Sequence, residues 1–299
     1  LSSIKFPKNL TTIGQYAFQD CIAITSLDLP NSPITMETKV FSGCDGLTTL
    51  EIPSKIKTIT DAFYECKNLK TVTFYGPTNV DWFFGFWSVE TIYGLNDTPA
   101  HWCAYHQGID FVSIDLPYAD VSAYDWFYDA ARFNYDRGII TGMNETTFGP
   151  SVSMTRDHIV TMLYRMDGKP SVSYSPIYPD VPAGDFYTDA VMWGHQTGVA
   201  TGYDNGYFGI GDEITREQTV TMLYRYAQYK KLDTSERTSL DEYRDGKDVS
   251  GFAKDAMEWA IGIGIIKGEN NQNIINPQGS TDRAGGATMI MRFMEYYDL

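Results

Sequence analysis

The chain has 299 residues, 43% of them hydrophobic and 20% charged, with a formal net charge of −15. That length holds two or more domains, and the acidic balance argues against nucleic acid or an anionic membrane as a partner. No apolar run approaches the roughly 20 residues that span a bilayer; the longest candidate is Ala260 to Ile266.

Charge divides the chain in two. Residues 1–116 hold seven lysines, no arginine and twelve acids, whereas the remainder holds all ten arginines, six lysines and 26 acids. In the first part Ala17-Phe18-Gln19-Asp20-Cys21 aligns with Val40-Phe41-Ser42-Gly43-Cys44 and Ala62-Phe63-Tyr64-Glu65-Cys66. After each cysteine the alternation Leu27/Leu29, Leu50/Ile52 and Val72/Phe74 predicts a short strand with one face inward. Pro30 and Pro53 close two of them. Ile4-Lys5-Phe6-Pro7 matches the strand of a preceding repeat, so the first copy is expected to begin ahead of residue 1.

A unit of 22 or 23 residues cannot bury its own apolar face, but stacked copies make a continuous core. Cys21, Cys44 and Cys66 then occupy one repeated position and are expected to be buried thiols rather than disulfides. This pattern resembles the BspA-type leucine-rich repeat family. The resemblance implies a solenoid of short parallel strands with irregular or helical connections over 1–116, capped near 91–114. The aromatic segment Trp82 to Trp87 is expected to form either part of the cap core or a binding lip. Such a surface serves a protein or glycan partner, or acts as a spacer.

A second period begins at Pro117. Tyr118-Ala119-Asp120-Val121 matches Tyr178-Pro179-Asp180-Val181 and, more loosely, Tyr243-Arg244-Asp245. A predicted helix follows, with Phe133, Trp193 or Trp259 inward, ending at Gly138, Gly198 or Gly264, where glycine takes a left-handed cap. Then come Gly142, Gly202 or Gly268 at the end of a G-h-h-x-G turn, and Phe148, Phe208 or Ile275 after a polar loop. Eight residues later stands Arg156, Arg216 or Arg283. Each opens a second helix, with Thr155, Thr215 or Asp282 as the N-cap. A second arginine lies nine residues on, and Met162, Met222 and Met289 read as core.

These features resemble three S-layer homology units, expected at 117–175, 176–240 and 241–299 behind turn-rich linkers. The resemblance implies an all-α module with pseudo-threefold symmetry and grooves between units. It also implies a secreted bacterial protein held non-covalently at the cell surface by secondary cell-wall polysaccharide, which often carries pyruvate ketals.

A cation at the first helical position opposes the helix dipole, so Arg156, Arg216 and Arg283 call for a neutralising anion. Either a neighbouring acid (Asp157, Glu217, Asp282) supplies it as an internal ion pair, or guanidinium and free helix N–H groups receive a sugar carboxylate. Trp193 and Trp259 are expected to stack on sugar or to pack in the core. Asp120, Asp180 and Asp245 accept sugar hydroxyls or cap a turn, and Gly142, Gly202 and Gly268 admit a sugar to the backbone or adopt positive φ. The Arg216 copy is the most complete.

No enzyme motif is present: G-x-S-x-G, H-E-x-x-H and the P-loop are all missing, and neither catalytic residues nor a cofactor are expected. His101, His106, His158 and His195 lack metal-ligand spacing, and Asp204-Asn205-Gly206 reads as a turn. The competing reading is an adhesin for host protein whose triple module serves protein assembly instead of wall binding.

Overall fold

The computed structural model describes residues 1–7, 9–80, 88–268 and 273–299. They form two compact units, one of Leu1–Leu116 with Ser122–Asp125 and one of Pro117–Val121 with Trp126–Leu299.

The first unit is a parallel-strand solenoid. Strands β1 (Thr12–Ile13) and β2 (Thr35–Met36) pair with each other, as do β4 (Thr58–Ile59) and β6 (Asn79–Val80). The longer β3 (Thr49–Ile52), β5 (Thr71–Phe74), β7 (Thr91–Gly94) and β8 (Asp110–Ser113) make one parallel sheet in that order. Thr49 faces Thr71, which faces Thr91, so equivalent residues stack from coil to coil. Helix α1 (Pro99–Gln107) joins the last two strands and stops at Gly108, whose φ is 67°.

The repeated phenylalanines form the expected ladder. Phe41 stacks on Phe18 at 5.2 Å and on Phe63 at 5.3 Å, both pairs within 8° of parallel. The thiols of Cys44 and Cys66 donate to the carbonyls of Phe18 and Phe41, one coil back, at 3.2 Å. All four cysteines are unpaired. Burial pushes the Cys44 thiol up to about 11 and Cys66 to about 12, so both behave as inert apolar side chains. One strand expectation fails. Leu27 and Leu29 alternate in burial, yet the segment joins no ladder; apolar alternation reports which side faces the core, not which amides find partners. The Trp82 to Trp87 expectation lies outside the described residues.

Phe41→Ala removes a side chain held between two rings and fully buried. The repeat region is expected to lose about 3–5 kcal/mol. Hydrogen exchange at β3 and β5 reads this directly, and unchanged protection there contradicts the ladder's role.

The second unit contains six α-helices among the described residues, two per repeat. They are α2 (Tyr128–Asp136) and α3 (Arg156–Met166), α4 (Thr188–Thr197) and α5 (Arg216–Tyr229), then α6 (Lys254–Gly262) and α7 (Arg283–Tyr297). The second helix of each repeat packs on the first helix of the next: α3 on α4, α5 on α6, and α7 back on α2. The cycle is also written in hydrogen bonds. Met154 N donates to Thr281 O (2.8 Å), Thr281 N to Ile214 O (2.9 Å) and Ile214 N to Met154 O (3.0 Å). These three residues each stand two places ahead of a helix-opening arginine, so the triangle marks the pseudo-threefold axis.

That triangle explains an oddity of the third repeat. Gly285-Gly286 weakens the start of a helix by up to about 1 kcal/mol per glycine. A Cβ at Gly286, however, would come within 2.4 Å of Met154 Sδ. The glycine admits the methionine of the first repeat.

Candidate functional site

Helix caps form as expected. Thr215 Oγ1 accepts from Gln218 N at 3.3 Å while Gln218 Oε1 accepts from Thr215 N at 3.2 Å, a complete capping box. His158 Nδ1 takes the reciprocal place beside Thr155, and Asp282 accepts from Gly285 N.

The arginines that follow these caps do something neither expectation described. Arg156 Nε donates to Phe208 O (3.0 Å) and Nη2 to Thr201 O (2.8 Å), both in the second repeat. Arg283 Nε and Nη2 donate to Phe148 O and Thr141 O in the first repeat, each at 2.6 Å. Arg216 Nε donates to Ile275 O of the third at 3.0 Å. Each guanidinium therefore clasps the turn of the next repeat, and the three clasps close a ring. Arg156 and Arg283 are 6% exposed.

The acids next to them act the same way, which corrects the internal ion pair. Asp157 accepts Gly211 N, and Glu217 accepts both the amide and the hydroxyl of Ser250. Nor are the first helix amides free for an anion. Arg156, Arg216 and Arg283 donate their own N–H to Asp212 O, Gly279 O and Val152 O, again across repeats. Their partners lie in another repeat, so the helix N-termini are sealed.

The three repeated aspartates are turn staples. Asp120 accepts the amides of Phe148 and Gly149; Asp180 those of Phe208, Gly209 and Ile210; Asp245 those of Ile275 and Asn276. They hold the loops whose carbonyls the arginines clasp, the turn-capping role of the two expected for them. Burial raises the Asp180 carboxyl, but three amide donors outweigh it and leave it below the ordinary carboxylate value; Asp120 is lowered likewise. A folded-state value below the unfolded one stabilises above the unfolded pKa, about 3.9, and is lost as pH falls through the folded value. Asp180→Asn is therefore expected to lower the thermal midpoint at pH 7, with the gap from wild type closing toward pH 2–3. A gap that stays constant with pH contradicts the staple.

Trp193 and Trp259 are 2% and 0% exposed and donate to Asp167 Oδ2 and Tyr297 Oη, so neither can offer a sugar-stacking face. Gly142, Gly202 and Gly268 do not have positive φ. In the first two the close side-chain neighbour is a tyrosine: a Cβ would meet Tyr118 Cε1 at 2.5 Å or Tyr178 Cε1 at 2.4 Å. Positive φ belongs instead to Gly138, Gly198 and Gly264, at 62°, 74° and 75°.

Grooves do lie between repeats. One, of about 430 Å³, has Arg165, Thr161 and His158 of α3 on one side, Gly142 and Met143 on its floor, Arg283 from the third repeat and Phe186 from the second. Another, of about 460 Å³, has Arg292 and Thr288 of α7, Lys267 and Gly268, Arg216 from the second repeat and Trp126 from the first. Nine of the eleven lining positions correspond between the two, so one design is repeated. Each needs all three repeats.

The key pair is two arginines per groove. Arg165 and Arg292 donate to Ile139 O and Ile265 O. Among the described residues no carboxylate lies within 4.0 Å of Arg165, Arg283 or Arg292. Burial lowers the pKa of Arg283 and Arg292, and the neighbouring Arg165 and Arg216, respectively, lower it further. In the first groove two desolvated like charges, Arg165 and Arg283, face one space, a setting that an anion relieves.

The second arginine is the residue that sequence reasoning passed over, although its nine-residue spacing was visible. The rim aromatics were not singled out either. Matching Asp129 with Asp189 and Asp255 places Trp126, not Phe127, opposite Phe186 and Phe252. These three are 70%, 64% and 60% exposed, whereas Phe127 is buried. Among the described residues no helix is long and apolar enough to cross a membrane, and no group of metal-ligating side chains assembles.

Comparison with known proteins adds the following. Residues 1–93 match the BspA type leucine-rich repeat region in six copies, and residues 117–159, 177–220 and 242–284 match the S-layer homology domain. The chain is 30% identical over 175 residues to an endoglucanase of Bacillus sp. (strain KSM-635), covering 58% of this chain and 18% of that protein. It is 26% identical over 224 residues to an amylopullulanase of Thermoanaerobacterium thermosulfurigenes, covering 75% and 12%. It is 24% identical over 175 residues to the surface-layer 125 kDa protein of Lysinibacillus sphaericus, covering 57% and 14%. The chain thus spans less than a fifth of each of these relatives. The two domain families matched here are non-catalytic, and the enzyme names belong to the relatives. S-layer homology domains place a protein at the cell surface in association with the wall. The helical part of the chain belongs to the S-layer homology family as a triple module, and the solenoid ahead of it to the BspA-type leucine-rich repeats.

Proposed function

We propose that the triple module anchors a secreted protein non-covalently to secondary cell-wall polysaccharide. An acidic group of the polymer, such as a pyruvate-ketal carboxylate, enters a groove between its two arginines. The observation that carries this is the arrangement of Arg165 with Arg283, and of Arg292 with Arg216, around open grooves. One guanidinium of each pair is a fixed wall, spent on the turn of the next repeat. The other, with further N–H donors, supplies the planar fork that suits a carboxylate. Phe186 and Trp126 at the rims present rings to the apolar face of a sugar. The solenoid is then displayed from the wall to meet a protein or glycan.

Purified walls test this in a pull-down, with walls stripped of their polysaccharide as the reference. The full chain is expected to sediment with intact walls only. Arg165→Ala/Arg292→Ala is expected to stay in solution while keeping its circular dichroism. Sedimentation with stripped walls overturns polysaccharide anchoring, and undiminished retention of the double variant overturns the arginine pairs. Arg216→Ala alone is a poorer probe, since its bond to Ile275 O ties the second repeat to the third, whereas the bonds of Arg165 and Arg292 stay within one repeat.

A further inference from the structure

One wall of the first groove carries polar groups that the fold itself leaves unused. His158, Thr161 and Arg165 stand at i, i+3 and i+7 of α3, on one face of the helix, and all three line the groove. Arg165 donates to Ile139 O. The other two have capacity to spare.

Thr161 is 5% exposed, and among the described residues its Oγ1 has no hydrogen-bond partner. Its counterparts in the other repeats are satisfied. Thr221 Oγ1 donates to Glu217 O at 2.7 Å and Thr288 Oγ1 to Ala284 O at 2.8 Å, each one turn back along its own helix. Thr161 makes no such bond to Asp157 O. A buried hydroxyl left unpaired costs about 1–3 kcal/mol, a cost that a bound partner removes.

His158 is held by its other side. The amide of Thr155 donates to His158 Nδ1 at 3.3 Å, so Nδ1 accepts and the neutral ring carries its proton on Nε2. Burial lowers the His158 pKa; Asp157 opposes that, while Arg283 and Arg165 reinforce it, and the ring stays neutral at pH 7. Among the described residues Nε2 is neither hydrogen-bonded nor sealed from solvent. It is an open N–H on the groove wall.

We propose that His158 and Thr161 form a hydroxyl-reading subsite in the first groove: a free hydroxyl of the acidic saccharide accepts from His158 Nε2 and donates to Thr161 Oγ1, while the carboxylate lies on the arginines. The inference deepens the wall-binding reading and rests on it. Donor and acceptor chemistry separates the two ends. A guanidinium only donates and a carboxylate only accepts, so those two match. A hydroxyl does both, and is the group that an N–H donor beside an unpaired hydroxyl oxygen satisfies. In the third groove Gly285 stands where His158 does, and Thr288 is spent on its own helix. The first groove therefore distinguishes saccharides of equal charge by a hydroxyl that the third does not read.

Two methyl glycosides serve as probes: a hexoside whose pyruvate ketal lies beside a free hydroxyl, and the same hexoside with hydrogen in place of that hydroxyl. Calorimetry on the full chain uses Arg292→Ala, which weakens the third groove, with Arg165→Ala/Arg292→Ala as the blank. Arg292→Ala is expected to bind the hydroxyl probe about 10-fold more tightly than the deoxy probe. Adding Thr161→Val, a change of similar shape, is expected to abolish that preference and leave deoxy binding unchanged. The thermal midpoint stays level or rises, because an unpaired buried hydroxyl is gone. Adding His158→Gln instead keeps a capping partner for Thr155, as Gln218 is for Thr215, and is expected to reduce the preference as well. A preference that survives both substitutions, or losses that are equal for the two probes, overturns the subsite alone. Failure of wild type to bind either probe overturns the wall-binding reading itself, a distinct outcome.

Discussion

Arg283→Ala lowers the thermal midpoint of the helical module by roughly 10 °C. Two charge-assisted bonds, to Phe148 O and Thr141 O, disappear together. Each is worth about 1.5–3 kcal/mol, and the Phe148 carbonyl left behind is buried. The expected loss is about 3–5 kcal/mol, at roughly 2–4 °C per kcal/mol for a unit of this size. The position matters as much as the bond count. Arg283 joins the last repeat to the first, over 135 and 142 residues of sequence, and so closes the ring that seats α7 on α2. Arg283→Lys does not rescue, because a single ammonium cannot reproduce a fork aimed at two fixed carbonyls. Calorimetry reads the effect, and a midpoint within about 2 °C of wild type refutes the clasp.

The same clasp shows where sequence reasoning stops. Caps, helix ends, the phenylalanine ladder and the order of the repeats were all readable, because each depends on residues within one turn or one period. The role of the arginine was not, because its partners lie 45 to 142 residues away. From the sequence the conflict with the helix dipole was real, and an anion was the natural remedy. In the fold the neighbouring repeat resolves it with backbone carbonyls. Trp193 and Trp259 could not be decided between sugar and core for a related reason. Helical phase says that a side chain points to one face, but not that a further repeat will cover that face. Gly142 and Gly202 were right as points of close approach, but the neighbour that approaches each is a tyrosine 24 residues earlier in the chain.

This redistribution moves the functional weight to the second arginine of each pair, and sets the size of the binding effect. Arg165→Ala or Arg292→Ala removes one charge-assisted contact to a carboxylate, about 1.5–3 kcal/mol, which is about 10- to 150-fold for a single saccharide in that groove. On the proposed wall-binding function, and with a polymer that repeats its acidic group, two grooves on one module would engage two sugars of one chain. Linking them multiplies affinity by about 10²–10⁴ without any new contact. Weakening one groove removes that gain as well, so a single variant reduces retention on walls by about 100-fold or more while saccharide affinity in the other groove is unchanged. The charge lost must be separated from its place. Arg132→Ala/Arg137→Ala shifts net charge by the same amount as the groove double variant, but on α2 and its C-cap, where Arg132 pairs with Asp136 and Arg137 lies over Phe133. Retention of this control at wild-type level, with loss in Arg165→Ala/Arg292→Ala, assigns binding to the grooves. Equal losses in both would mean that the wall responds to net charge alone, and the paired-arginine groove would then have no special part in anchoring.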